Sequence, residues 1–178
     1  GGLQLGPASQ VDILALHVAW FDWTMKTGPR PALLGQRVAY YVDGAEAWRT
    51  AADLAAMTPT TRTWFLGSDG AAGDVYRAGR LTAAAASGAA EDVLTIDPRD
   101  PRAAAVELVV GGEVPIVDRA DGTPPDGLAL IYHTDAFTED TELGGALRVV
   151  LHLAMDVPDT DLHARLLEVR ADGRTVLL

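Results

Sequence analysis

The N-terminal part of the chain repeats apolar residues at the spacing of a helix. One face of this predicted helix, about four turns long, carries Val11, Leu14, Val18, Phe21 and Met25. Ser9 is the expected cap, with Asp12 three residues later at the position of a capping-box acid. The run Gly28-Pro29-Arg30-Pro31 should end the helix, since proline cannot continue it. A helix this apolar needs a surface to pack against.

After Gln36 the period changes to the short, alternating runs that are typical of strands. The predicted strands span residues 37–42, 61–66, 74–76, 80–82, 93–96, 128–133, 147–154, 162–170 and 175–178, and residues 106–110 form either a further strand or a packed loop. Turn residues separate several of them, as at Asp43-Gly44. The expected inner faces of the sheets carry Leu147, Val149, Leu151, Leu166 and Val169. The pattern predicts a mainly β fold, a β-sandwich preceded by one α-helix.

Composition limits the classes of partner. The chain has 178 residues, 48% of them hydrophobic, which suffices for one domain with a packed core. A net charge of -11 disfavours nucleic acid and anionic membrane surfaces. The sequence has no cysteine, and we expect neither a leader nor a membrane span within these residues. The compartment stays open, with the cytoplasm favoured. Because the chain stops inside the apolar run Val176-Leu177-Leu178, we expect the sandwich to continue beyond it.

Serine hydrolysis is the first candidate activity. The three serines are Ser9, Ser68 and Ser87. A nucleophile elbow needs small residues two before and two after the serine, followed by a helix. Ser68 has Gly70 after it but Leu66 before it, and no helix is predicted to follow. We therefore expect Ser68 to be a turn residue and predict no catalytic residue in the chain. Substrate-binding residues stay unassigned.

Metal and cofactor sites find little support. The histidines, which never pair at i and i+4, are His17, His133, His152 and His163. His152 and His163 could face each other on adjacent strands, but zinc would need a third ligand. The cluster Asp156, Asp159 and Asp161 has calcium-like composition, yet the same residues make an ordinary turn. We favour the turn and predict no metal and no cofactor, with calcium left as the alternative.

The exposed aromatic residues leave a second function open. Trp48, Trp64, Tyr76 and Tyr40 could form a platform on which sugars stack, or they could be core and interface residues. A carbohydrate-binding module is therefore an alternative, and an oligomerisation domain is another.

Short motifs in a fixed order resemble one family of serine hydrolases, the X-Pro dipeptidyl-peptidase and cocaine-esterase type, also called CocE/NonD. In chain order, residues 19–23 resemble its WFDHW helix end, 41–49 its YVMGxxxWR element, 64–66 its FYL strand, 96–101 its YDPxDP loop, 128–134 its DVLxYT strand, 137–143 its PLxEDxEV segment, 145–151 its GPVRVxL strand, 157–162 its APDTDF segment and 166–173 its LVDVxPDG hairpin. Residues 103–110 depart from the family's usual proline-glycine segment.

The resemblance implies a non-catalytic C-terminal domain with a galactose-binding-like jelly roll. Residues 1–35 would be the last helix of an α/β-hydrolase domain plus a linker, and residues 36–178 the jelly roll, incomplete at its C-terminus. The partner would be the α/β-hydrolase domain of the same parent protein, an ester or Xaa-Pro peptide hydrolase. The family's Ser-Asp-His triad matches no position here. On position alone, residues 108–110 are the apolar loop expected to shape the parent's cleft.

Overall fold

The computed structural model describes residues 5–85, 87–88, 90–103, 127–173 and 175–178. Two compact units divide them. The hairpin unit comprises the described residues of Gln4–Thr61 and Glu139–Val150. The sheet unit comprises those of Arg62–Thr138 and Leu151–Leu178. The predicted strand or packed loop 106–110 and the apolar loop 108–110 lie outside the described residues.

The hairpin unit begins with a 3-10 helix, Pro7–Ser9, followed by helix α1, Ile13–Met25. The predicted helix is confirmed, but its predicted cap is wrong. Asp12 caps α1 by accepting a hydrogen bond from the Ala15 amide at 2.9 Å, whereas the Ser9 hydroxyl donates to the carbonyl of Gly6 at 2.7 Å. Because the 3-10 turn already uses the Ser9 side chain, the helix starts one turn later than predicted.

A second 3-10 helix, Ala32–Leu34, leads into the antiparallel hairpin of strands β1, Val38–Val42, and β2, Ala47–Ala51. The sequence places β1 and its turn correctly. Gly44 has a φ of +78°, a conformation that costs glycine little. A short helix α2, Leu54–Met57, follows β2; the sequence did not predict it.

The sheet unit contains strands β3 to β7. Strand β4, Gly79–Thr82, is the centre of a three-stranded sheet. It pairs antiparallel with β3, Phe65–Gly67, and parallel with β5, Tyr132–His133. Strands β6, Leu167–Val169, and β7, Thr175–Leu177, form a separate antiparallel hairpin. Over the described residues, strands outnumber helices and the protein is β-rich.

Several predicted strands do not form. Residues 147–154 and 93–96 lie in no sheet, and residues 74–76 lie in a turn. Leu147, Val149 and Leu151, predicted to be core residues, are exposed, as is Val169. The sequence prediction was wrong here because alternation marks a face for burial without supplying a partner strand. The buried apolar residues of the described chain are Ala51, Ala72 and Val176.

Candidate functional site

One polar cluster of the sheet unit is centred on the carboxylate of Asp92. This carboxylate lies on the segment between β4 and β5, and three donors reach it from other parts of the chain. Ser68 follows β3 directly, because Gly67 ends that strand. Tyr132 is the first residue of β5. We call Ser68, Asp92, Tyr132 and the Ala72 amide the Asp92 cluster.

The distances in the Asp92 cluster are those of strong hydrogen bonds. The Ser68 hydroxyl and the Tyr132 hydroxyl each donate to Asp92 Oδ2 at 2.6 Å. The Ala72 amide donates to Asp92 Oδ1 at 3.0 Å. Ser68 Oγ in turn accepts from the Gly70 amide at 3.1 Å. The Asp92 carboxylate therefore binds three groups that lie 20, 24 and 40 residues away from it in the sequence.

The same contacts set the protonation states. Partial burial would raise the pKa of Asp92, but the hydrogen bonds from Ser68, Tyr132 and Ala72 outweigh it, so the pKa lies below its ordinary value. Burial, the hydrogen bond to Asp92 and the charge of Asp92 all raise the pKa of Tyr132. At neutral pH the carboxylate is therefore charged and the phenol is protonated.

This arrangement is poorly suited to nucleophilic attack by Ser68. An attacking serine needs a neighbouring base that removes its proton, usually an imidazole. Ser68 Oγ donates instead to a carboxylate whose lowered pKa makes it a weak base. Ser68 Oγ also accepts a hydrogen bond from the Gly70 amide. The Asp92 cluster ties the turn after β3 to the segment between β4 and β5 and to β5 itself.

The histidines are spread over the chain. His17 lies beside an apolar groove formed by Leu16, Trp20, Phe21 and Leu34 in the hairpin unit. His133 lies on β5. His152 and His163 are exposed and lie outside any strand, so they do not face each other on adjacent strands. The alternating apolar and polar residues around them form no hydrogen-bonded strand pair that would align the two side chains.

The aspartates of the predicted turn do not converge on a common point. In the described part of the chain no group of three or more His, Asp or Glu side chains is arranged to hold a metal ion. Asp156, Asp159 and Asp161 belong to that part and are exposed. Their geometry therefore gives the calcium alternative no support.

The four aromatic residues considered as a sugar platform are divided between the units. Tyr40 and Trp48 belong to the hairpin unit, and Trp64 and Tyr76 to the sheet unit. Tyr41, not Tyr40, is the cross-strand partner of Trp48, so Tyr40 and Trp48 lie on opposite faces of the hairpin.

The side chains of both tryptophans already have partners within the chain. The Trp48 indole donates to a backbone carbonyl, and Arg62 lies over the Trp64 ring at 5.8 Å.

Among helices that the structure describes, none is long and apolar enough to span a bilayer.

Residues 34–178 match the family described as the X-Pro dipeptidyl-peptidase C-terminal non-catalytic domain. The chain belongs to this family. It is also similar to the cocaine esterase of Rhodococcus sp. (strain MB1 Bresler), with 28% identity over 171 residues. That alignment covers 92% of this chain and 29% of the relative, so the chain spans less than a third of the length of the relative. No solved structure matches the chain.

Membership confirms the family resemblance predicted from the motifs. Sequence reasoning considered Ser68 but missed Asp92 and Tyr132. Their separations from Ser68 follow no local period, and no spacing rule would have joined them.

Proposed function

We propose that this chain is the C-terminal part of a larger serine hydrolase, in which residues 34–178 pack on an α/β-hydrolase domain and help shape its substrate cleft. The family match over residues 34–178 carries the proposal. The similarity to an esterase more than three times as long supports a parent with further domains. The substrate of the parent would be an ester or a Xaa-Pro peptide.

A domain boundary near residue 35 is part of the proposal. The family match begins at residue 34, next to the start of β1 at Val38. We propose that residues 36–178 belong to a galactose-binding-like jelly roll, and that α1 belongs to the hydrolase domain. Exposure of the apolar α1 residues Leu14, Val18 and Met25 supports an origin in a larger interface.

The proposal is tested by locating the reactive serine. The open reading frame that contains these 178 residues is expressed, treated with a fluorophosphonate probe and digested, and the labelled peptide is identified by mass spectrometry. We expect the label outside the 178 residues, together with hydrolysis of an ester or a Xaa-Pro anilide. Label on Ser9, Ser68 or Ser87 would contradict the proposal.

A matched pair of variants sharpens the test. Ser68→Ala should retain esterase or peptidase activity as far as the variant stays folded, since its hydroxyl serves Asp92. Replacement of the labelled serine should abolish activity without changing the thermal midpoint. Activity lost in Ser68→Ala at unchanged stability would assign a chemical role to Ser68 and refute the non-catalytic assignment.

A further inference from the structure

Strand β2 carries two neighbouring residues that make long-range contacts on opposite faces of the hairpin. Trp48 Nε1 donates to the carbonyl of Ala8 at 2.9 Å, across 40 residues of sequence. Arg49 Nη1 lies 2.8 Å from Glu142 Oε2. One face of the hairpin therefore contacts the chain before α1, here called the leading segment (residues 5–10), and the other face contacts residues 139–150.

The Trp48 face is built from three hairpin side chains. Tyr41 lies opposite Trp48 in the register, and their rings meet edge to face with centroids 5.6 Å apart. The Tyr41 hydroxyl donates to Glu46 Oε2 at 2.7 Å. That Glu46 carboxylate occupies the place where a Cβ on Gly6 would stand. Any larger residue at position 6 would displace Glu46 from Tyr41.

The leading segment has little local structure to hold it in place. Its 3-10 turn is closed by hydrogen bonds from the Ser9 amide to Gly6 and from the Gln10 amide to Pro7. Runs this short are not stable in isolation. The Ala8 carbonyl is fixed by Trp48, an indole that can only donate. The position of the leading segment is therefore set by the hairpin.

We propose that the β1–β2 hairpin is a clamp that fixes the chain leading into the family domain, with Trp48 as its positioning residue. Ala8 precedes the family match and Trp48 lies within it, so the clamp joins the domain to the chain before it. This role rests on the proposed function, in which the leading segment belongs to the hydrolase domain. The clamp then fixes how the two proposed domains are connected.

Amide hydrogen exchange at Ser9 and Gln10 tests the clamp in the protein that contains all 178 residues. Trp48→Phe keeps a ring against Tyr41 but removes the N–H donor. We expect exchange of both amides to accelerate about five-fold, as for the loss of one net hydrogen bond of average strength. Trp64→Phe is the control, because Trp64 belongs to the sheet unit, and should leave both rates unchanged.

A second variant changes the leading segment instead of the hairpin. Gly6→Ala keeps Trp48 and should accelerate the same two amides by pushing Glu46 away. If Trp48→Phe does not fold, exchange in Gly6→Ala tests the clamp by itself. Unchanged exchange in the folded variants, or equal acceleration in Trp64→Phe, would overturn the clamp. Neither result depends on where the fluorophosphonate label is found, so the clamp and the proposed function fail separately.

Discussion

Each unit of this protein ties distant segments together, but with different chemistry. In the sheet unit a charged, partly buried carboxylate accepts from two hydroxyls and an amide. In the hairpin unit a neutral indole donates one bond to a carbonyl at a more exposed site, where Trp48 is 37% exposed. Bonds to a charged acceptor are roughly twice as strong as neutral ones. The comparison indicates that the hydrogen bonds of the Asp92 cluster depend on one charged residue and therefore on pH. The clamp depends instead on an uncharged hydrogen bond and on the close contact between Gly6 and Glu46.

Removing the carboxylate should have the largest effect. Asp92→Ala leaves three donors without their acceptor, two of them hydroxyls that no longer face a charge. We expect the free energy of unfolding to fall by about 2–3 kcal/mol. Urea denaturation followed by circular dichroism measures it. Asp135→Ala, which breaks one exposed ion pair to Arg80, should cost about 0–1 kcal/mol, and equal losses would remove the contrast.

Crowding the tyrosine should have the next largest effect. Gly79 pairs with Tyr132 across β4 and β5, and a Cβ on Gly79 would collide with the Tyr132 ring. Gly79→Ala should cost about 2 kcal/mol as the ring shifts and its hydroxyl leaves Asp92. Gly73→Ala is the matched control in the same unit, since its Cβ would meet only ordinary contacts near 4 Å. A thermal midpoint lowered equally by both changes would show that Tyr132 is free to adjust.

The pH dependence of stability should distinguish the Asp92 cluster from the clamp. The pKa of Asp92 is lowered by folding, so its contribution is present above the unfolded value of about 4 and is lost as pH falls through the lower folded value. The pKa of Tyr132 is raised, so its contribution is present below about 10 and is lost as pH rises through the higher folded value. The cluster is therefore intact between these limits.

The measurement compares differences in unfolding free energy at pH 7 and pH 3. The difference between the wild type and Asp92→Asn should shrink at pH 3, because that pH lies below the unfolded pKa of about 4 and protonation of the unfolded state offsets part of the stabilisation. The difference between the wild type and Trp48→Phe should change less, since neither an indole nor a carbonyl titrates. A constant difference for Asp92→Asn would show that the hydrogen bonds do not depend on the charge.

What the sequence could predict was what is encoded locally. The strand containing Tyr41 and its turn at Gly44 formed as predicted, because β-forming residues and a positive φ lie within a few positions of each other. The cap of α1 was misplaced by three residues because Ser9 and Asp12 are both good caps, and the choice depended on the turn that Pro7 starts. The family followed from ordered motifs rather than from any single residue.

What the sequence could not predict depends on partners far along the chain. The alternation of residues 147–154 is as regular as that of a strand, but pairing needs a second strand at the right place. Asp92 meets Ser68 and Tyr132 across 24 and 40 residues, and Trp48 meets Ala8 across 40. Those contacts are properties of topology, so single-sequence patterns carry no trace of them.

The smallest effect should come from the other face of the clamp. Arg49 and Glu142 keep 50% and 35% of their side-chain surface exposed, and exposed ion pairs contribute at most about 1 kcal/mol. A double-mutant cycle with Arg49→Gln and Glu142→Gln should give a coupling below about 0.5 kcal/mol that vanishes in 1 M salt. A larger, salt-resistant coupling would mean that the clamp, like the Asp92 cluster, depends on a charge screened from water. The contrast between the two units would then lie in the number of donors rather than in their exposure.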